Sequence, residues 1–310
     1  MKIDLITGFL GSGKTTFIKK YAEYLIGKGE NIGILENDYG AVNVDMMLLG
    51  ELEGDQCDLE MVPAAFDRDC HKRRFKSKLI YMGMLGYDRV IVEPSGIFDV
   101  DEFFDICRED PINRMYEIDN VIAIVDSGLD NELSKEADFY LASQIANAGC
   151  ILLSRTQLTN SLQIEAVKSH IANACRQVKL ERESLPAIIE KNWDDFTDED
   201  MSKINQCSYI MSTYEKTTNP EEGSYSSVYL LEPGLKLEGL NSKIKELFDH
   251  TGKYGQIYRI KGFLYDNNQW YELNATRHET NIKPISNGQD VIIIIGENLN
   301  HETIHSSLGS

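Results

Sequence analysis

The sequence predicts an α/β fold, a parallel β-sheet with helices on both faces, followed by a smaller α+β domain. Three observations predict it. Short β-branched runs alternate with segments long enough for a helix. The runs are continuously apolar, as strands covered on both faces require. The chain has 310 residues, about twice the roughly 150 expected of one domain. Its texture also changes at 192–224, where Trp193 to Asp200 is acidic and Asn219 to Ser224 is rich in turn formers. The predicted domains are therefore 1–210 and 223–310.

The elements follow in order. Residues 2–7 read as a strand that runs into glycines. The segment 15–29 then sets Phe17, Ile18, Tyr21, Leu25 and Ile26 on one helical stripe. Further strands are expected at 31–36, 89–93, 121–126 and 150–153, each separated by helix-length segments. The second domain reads as a strand at 226–231, a helix at 240–250, strands at 256–265, 269–273 and 290–295, and a terminal helix. No internal repeat marks a solenoid or propeller.

Composition excludes several classes. A hydrophobic fraction of 42% with 26% charged residues is that of a globular protein. The longest apolar runs, such as Val291 to Ile295, fall far short of the roughly 20 residues that span a bilayer, so no membrane association is expected. Met1 to Thr7 lacks the features of a secretory signal, which predicts a cytoplasmic protein. Cysteines 57, 70, 107, 150, 175 and 207 follow no CxxC spacing, and most read as reduced core residues. The formal charge of −19 opposes nucleic acid. The basic run His71 to Lys78 accordingly reads as a solvated face, a phosphate-facing edge or a dock for an acidic partner.

The strongest motif is Gly8-Phe9-Leu10-Gly11-Ser12-Gly13-Lys14-Thr15, which satisfies G-x-x-x-x-G-K-[ST] after a strand and at a helix start. Gly8, Gly11, Ser12 and Gly13 let the backbone wrap a phosphate, and the helix N-terminus adds orphan N–H donors. Lys14 would reach the β- and γ-phosphates, and Thr15 would put its hydroxyl on Mg²⁺, with Thr16 next to it. The fold is thus that of a P-loop nucleotide-binding protein. Glu93 ends the strand at 89–93, where ligands gather in such sheets. It would hold Mg²⁺ through water or orient the attacking water, beside the donor-rich turn Ser95-Gly96. Asp126, in Ile124 to Gly128, reads as a cap of its loop.

Together, GFLGSGKTT (Gly8 to Thr16), Glu36-Asn37-Asp38-Tyr39-Gly40, Glu93-Pro94-Ser95-Gly96, Val125-Asp126, Gln144-Ile145-Ala146 and Arg259 to Leu264 resemble the CobW branch of the CobW/HypB/UreG metal-centre GTPases. The resemblance covers most of both domains. It implies GTP and Mg²⁺ as ligands, slow hydrolysis, and a role in metal delivery or metallocofactor assembly with a client metalloprotein or cofactor enzyme. On this likeness Asp38 is a switch acid near Mg²⁺, and Glu93 is the acid of the E-x-S-G element.

Two departures from the family pattern stand out. The usual CxCC motif is absent, and Glu60 to His71 holds a single thiol. A site for Zn²⁺ or another transition metal would have to draw on Cys70 and His71, with Asp67 or Asp38. In place of N-K-x-D stand Ser154-Arg155-Thr156-Gln157. Gln157 offers one acceptor and one donor where Asp offers guanine two acceptors, while Arg155 can stack on a base. GTP is the expected nucleotide, with relaxed or shifted specificity. No arginine finger is identified; Arg68, Arg73 and Arg74 are candidates. His301-Glu302-Thr303-Ile304-His305 matches H-E-x-x-H without an obvious third ligand and reads as incidental Ni²⁺ or Zn²⁺ affinity. The alternatives to a switch GTPase are a P-loop small-molecule kinase and a nucleotide-sensing module with no metal role. The oligomeric state is not predicted.

Overall fold

The computed structural model describes residues 1–37, 44–62, 68–130, 132–216 and 225–308, without the side chains of Val44, Asp45, Met47 and Arg68. The chain divides into two compact units, Met1–Pro220 and Glu221–Ser310.

The first unit alternates strand and helix. In order it contains β1 (Lys2–Gly8), α1 (Lys14–Gly27), β2 (Ile32–Asn37), α2 (Val44–Leu49), β3 (Cys57–Met61), α3 (Arg68–Leu85) and β4 (Arg89–Pro94). It continues with α4 (Val100–Arg108), α5 (Ile112–Met115), β5 (Glu117–Asp126), α6 (Lys135–Ala146), β6 (Cys150–Ser154), α7 (Ser161–Gln177), β7 (Ala187–Ile189) and α8 (Asp198–Ile204). The seven strands form one parallel sheet in the order β3-β2-β4-β1-β5-β6-β7, which bears out the predicted α/β class.

Strands β2, β4 and β6 are buried along their whole length, as is β1 beyond Lys2, hence their largely apolar runs. One face packs on α1 and α8: Phe17, Ile18, Tyr21 and Leu25 meet Ile6, Ile34, Ile91, Ile124 and Leu152, joined by Trp193, Met201 and Ile204. Each of the four α1 side chains is fully buried, worth about 1.5–3 kcal/mol apiece. On the opposite face α3 sets Met82 against Gly33, and α6 accepts a hydrogen bond from Thr7 Oγ1 at its Gln144 carbonyl (3.1 Å).

A buried polar cluster lies near the start of β1. Arg89 Nη1 donates to Asp4 Oδ2 (2.6 Å) and to Asp119 Oδ2 (2.9 Å), and Arg89 Nε donates to Glu30 Oε2 (2.9 Å). The Tyr21 hydroxyl lies 2.7 Å from both Asp4 Oδ2 and Asn205 Oδ1. Burial holds the Asp4 carboxyl above the ordinary carboxylate range against the pull of Arg89.

The acidic segment after residue 192 does not leave this unit. Trp193 packs edge-on against Phe17, Glu181 bridges to Thr213, and Lys216 pairs with Asp99 (2.9 Å). The segment is polar because its outer side is solvated.

The second unit is a five-stranded antiparallel sheet with three helices. It comprises β8 (Tyr225–Leu231), α9 (Leu240–Asp249), α10 (Thr251–Tyr254), β9 (Gln256–Asp266), β10 (Gln269–Ala275), β11 (Thr280–Ile285), β12 (Val291–Glu297) and α11 (His301–Leu308), in the strand order β11-β10-β9-β12-β8. Leu240, Ile244, Leu247 and Phe248 form the apolar stripe of α9 and pack, with Tyr254, Ile304 and Leu308, on Val228, Ile260, Leu264, Ile292 and Ile294. Among the described residues no helix is long and apolar enough to cross a membrane.

Candidate functional site

The loop between β1 and α1 carries the phosphate-binding motif. Gly8 ends β1, Gly11 and Gly13 take positive φ of 73° and 100°, and Lys14 and Thr15 open α1. These turns need glycine. A Cβ on Gly8 would lie 2.5 Å from both the Ile124 carbonyl oxygen and Ser12 Oγ. The helix start has no side-chain cap, unlike α4, α6, α7 and α8, which Asp99, Ser134, Asn160 and Thr197 cap. Its first N–H groups are thereby left to an anion. Lys14 Nζ donates to the Gly8 carbonyl (2.9 Å), and buried Ser12 Oγ has no hydrogen-bond partner among the described residues. Thr16 is exposed on α1.

Next to this loop, β2 and β4 end together. Glu36 and Glu93 are register neighbours and both are buried. Thr15 Oγ1 donates to Glu93 Oε1 (2.9 Å), so the hydroxyl and carboxylate named from the motif are in contact. The donor set is all oxygen, the kind Mg²⁺ takes, and the residues fit that ion.

The turn after Glu93 is fixed on several sides. Ser95 N donates to the Asn37 carbonyl (3.0 Å), and Gln144 Nε2 donates to the Gly96 carbonyl (2.7 Å). The side-chain amide of Asn37 is fully buried with no partner among the described residues, as is Ser95 Oγ. A buried unpaired polar group costs about 1–3 kcal/mol, so this cluster of them around one loop marks a place for a polar ligand.

Ser154 ends β6, buried, with its hydroxyl unpaired among the described residues. Arg155 follows in the left-handed conformation (φ 56°), and its Nη1 donates to the Gly11 carbonyl (2.9 Å) and to Asp126 Oδ2 (2.6 Å). Asp126 also caps its loop, accepting from Gly128 N (2.8 Å). Gln157 is exposed on the short 3₁₀ turn Thr156–Leu158. Trp193 completes this side, its ring 3.4 Å from where a Gly13 Cβ would stand and near Ser154. The sequence pattern singles out neither Asn37 nor Trp193 as a site residue. Their signal is a contact between distant segments, invisible to local spacing.

The metal-ligand candidates are less closely assembled. Asp38 and Asp67 lie outside the described residues, as do Tyr39 and Gly40. Cys70 and His71 fall in the first turn of α3, with His71 fully buried. Among the described residues no group of three or more His, Cys, Asp or Glu is arranged to hold a metal ion, and this covers His301, Glu302 and His305, all exposed on α11. The basic run is largely paired within the unit: Lys72 and Lys76 with Glu109, and Lys78 with Glu60. Arg73 is exposed, its Nε donating to the Asp69 carbonyl.

Comparison with known proteins identifies the family. The family description CobW/HypB/UreG, nucleotide-binding domain, matches residues 2–181. The chain is 24% identical to zinc-regulated GTPase metalloprotein activator 1 of Schizosaccharomyces pombe, an alignment that spans 96% of this chain and 82% of that protein. It is 29% identical to the zinc chaperone YjiA of Escherichia coli over 54% of this chain and 52% of that protein. Among solved structures, Zn(II)-bound YjiA GTPase from E. coli aligns with 99% of this chain and 97% of that one, at 19% identity and a TM-score of 0.40. With a P-loop beside a Thr–Glu pair and a family match over more than half its length, the chain belongs to the CobW/HypB/UreG family.

Proposed function

We propose that the chain is a GTP-hydrolysing switch that binds Mg²⁺-GTP at Gly8 to Thr16 and controls delivery of a metal, or assembly of a metallocofactor, in a client protein. The observation that carries this reading is the Thr15–Glu93 hydrogen bond beside Lys14, at an uncapped helix start with a Ser12 hydroxyl unpaired among the described residues. Thr15 and Glu93, with Asp38, would hold Mg²⁺. Bound there, the ion would neutralise charge on the β- and γ-phosphate oxygens. Lys14 would leave the Gly8 carbonyl for the phosphates, and Glu93 would orient the attacking water. No arginine is assigned to the transferred phosphoryl group, so turnover is slow, which suits a switch.

Ser154, Arg155 and Gln157 would meet the base. Gln157 supplies a donor where a second acceptor would serve guanine, so discrimination against ATP is weaker than an aspartate would give. The names of the relatives support GTP as nucleotide and zinc or another transition metal as cargo, with Cys70 and His71 its candidate ligands. A cytoplasmic location is part of the same reading. Family membership favours hydrolysis with a switch role over phosphate transfer to a metabolite. The test is a titration with fluorescent GTP and ATP, with and without Zn²⁺, Co²⁺ or Ni²⁺. The parent is expected to prefer GTP and Lys14→Ala to lose Mg²⁺-nucleotide. Equal binding by Lys14→Ala would refute the phosphate site, and indifference to every metal would refute the metal role.

A further inference from the structure

We infer that Gln144 is a positioning residue for hydrolysis: from α6 it holds the Ser95–Gly96 turn against the P-loop, where the γ-phosphate of a bound nucleotide would lie. The inference rests on the nucleotide reading above and assigns a task to a side chain that this reading does not use.

Gln144 is 2% exposed, inside the helix that packs on β1. Its Nε2 donates to the Gly96 carbonyl at 2.7 Å, and its backbone carbonyl accepts from Thr7 Oγ1, one residue before the P-loop begins. One residue thus touches both walls of the phosphate site. The two walls are in direct contact. A Cβ on Gly96 would stand 2.6 Å from Leu10 N and 2.7 Å from Leu10 Cα, so the turn lies on P-loop backbone. On its other side the turn is tied to β2 through Ser95 N and the Asn37 carbonyl.

The amide of Gln144 uses its donor and not its acceptor: Oε1 is buried with no partner among the described residues. Flipping the amide would set Oε1 against the Gly96 oxygen, so the orientation follows from this one bond. An apolar side chain would fill the same space without stranding an oxygen. What the amide adds is control of the Gly96 carbonyl, and hence of the plane of the Gly96–Ile97 peptide and the direction of the donors in the turn. In P-loop switches the loop after the acid-bearing strand responds to the third phosphate. A bond that orients it acts on GTP and its hydrolysis, leaving GDP binding to the P-loop itself.

The experiment compares the parent with Gln144→Met, a near-isostere without donor or acceptor, and with Gln144→Glu. The readouts are single-turnover GTP hydrolysis, Kd for GTP and for GDP, and Tm. Gln144→Met is expected to lower the hydrolysis rate on the order of 10- to 100-fold. It is expected to reduce the GTP-to-GDP affinity ratio several-fold while GDP affinity stays within about twofold and Tm near the parent value. Gln144→Glu lacks the donor when ionised and regains it when protonated, so its rate relative to the parent should climb as pH falls into the carboxylate range. Unchanged rate and affinity ratio in Gln144→Met would overturn the inference, as would equal loss of GTP and GDP binding together with Tm. A parent that binds GTP without turning it over is decided by the affinity ratio alone. A parent that binds no nucleotide fails the underlying reading and this one with it.

Discussion

Replacing Asp126 by Asn and by Ala separates its two contacts. Asp126 Oδ2 accepts from Arg155 Nη1 at 2.6 Å, and Oδ1 caps the loop through Gly128 N at 2.8 Å. The two side chains are only 13% and 17% exposed, so solvent screening is limited. A hydrogen bond between charged groups contributes about 1.5–3 kcal/mol, and its neutral counterpart roughly half of that. Asn has a single oxygen: kept on the Gly128 cap, it turns its NH₂ toward Arg155 Nη1, donor against donor, so Asp126→Asn loses the bond to Arg155, about 10- to 150-fold in nucleotide Kd. Ala removes the same bond and the Gly128 cap with it, so its loss is at least as large. Because Arg155 is proposed to lie on the base, the loss belongs to the nucleoside. The assay is titration with fluorescent GTP, with inorganic triphosphate as competitor. Both variants should weaken GTP and leave triphosphate affinity near the parent value. If GTP and triphosphate weaken in parallel, or GTP affinity does not change, the clamp does not act on the base.

Three further outcomes are expected. Gly8→Ala forces a methyl within 2.5 Å of the Ile124 oxygen and should cost about 1–3 kcal/mol in denaturant unfolding as well as nucleotide binding; parental stability would contradict the cradle geometry. Asp4→Ala leaves Arg89, 1% exposed, with only its more solvated partners Glu30 and Asp119, and should destabilise by roughly 3 kcal/mol or more, read as a shift in urea midpoint. Burial pushes the thiols of Cys57 and Cys175 up to about 11 and that of Cys107 to about 12, so a thiol reagent should label half-buried Cys70 and Cys207 first in the native protein. With folded values above the ordinary thiol range, their contribution is complete below that range and is lost as pH climbs from there through about 11 to 12; replacing the three by Ala should flatten the alkaline fall in stability.

The central strands were legible because burial on both faces demands continuous apolar runs. Of the edge strands, β8 was, but β3, β7 and β11 were not. β3 (Cys57–Met61) and β7 (Ala187–Ile189) close the two sides of the sheet, half exposed, and β7 is only three residues long. β11 (Thr280–Ile285) is an edge strand in the second sheet and carries Pro284, which an edge tolerates and a central strand would not. The same contrast holds at the site. The P-loop is legible because one backbone stretch carries the proposed contacts and its three glycines fall within six residues. Asp126 reads as a local cap, and the cap exists, but its grip on Arg155 spans 29 positions. Gln144 reaches Gly96 across 48. Trp193 lies in a stretch whose acidity suggests a linker, yet its ring is buried against Phe17, and with Phe196 packed on the same core it anchors a segment of exposed acids.

The buried tyrosine of α1 bears on how force is transmitted. Lys14 and Tyr21 are seven residues apart on one helix, about 10 Å along its axis. The Tyr21 hydroxyl is seated between Asp4 and Asn205, and Lys20 and Lys28 tie the same helix to Asp194 and Asp198. A helix moored in this way cannot recoil like a piston when its phosphate end fills or empties. In the proposed switch, any movement on nucleotide exchange must then be taken up outside α1, which makes this helix the fixed strut of the phosphate site.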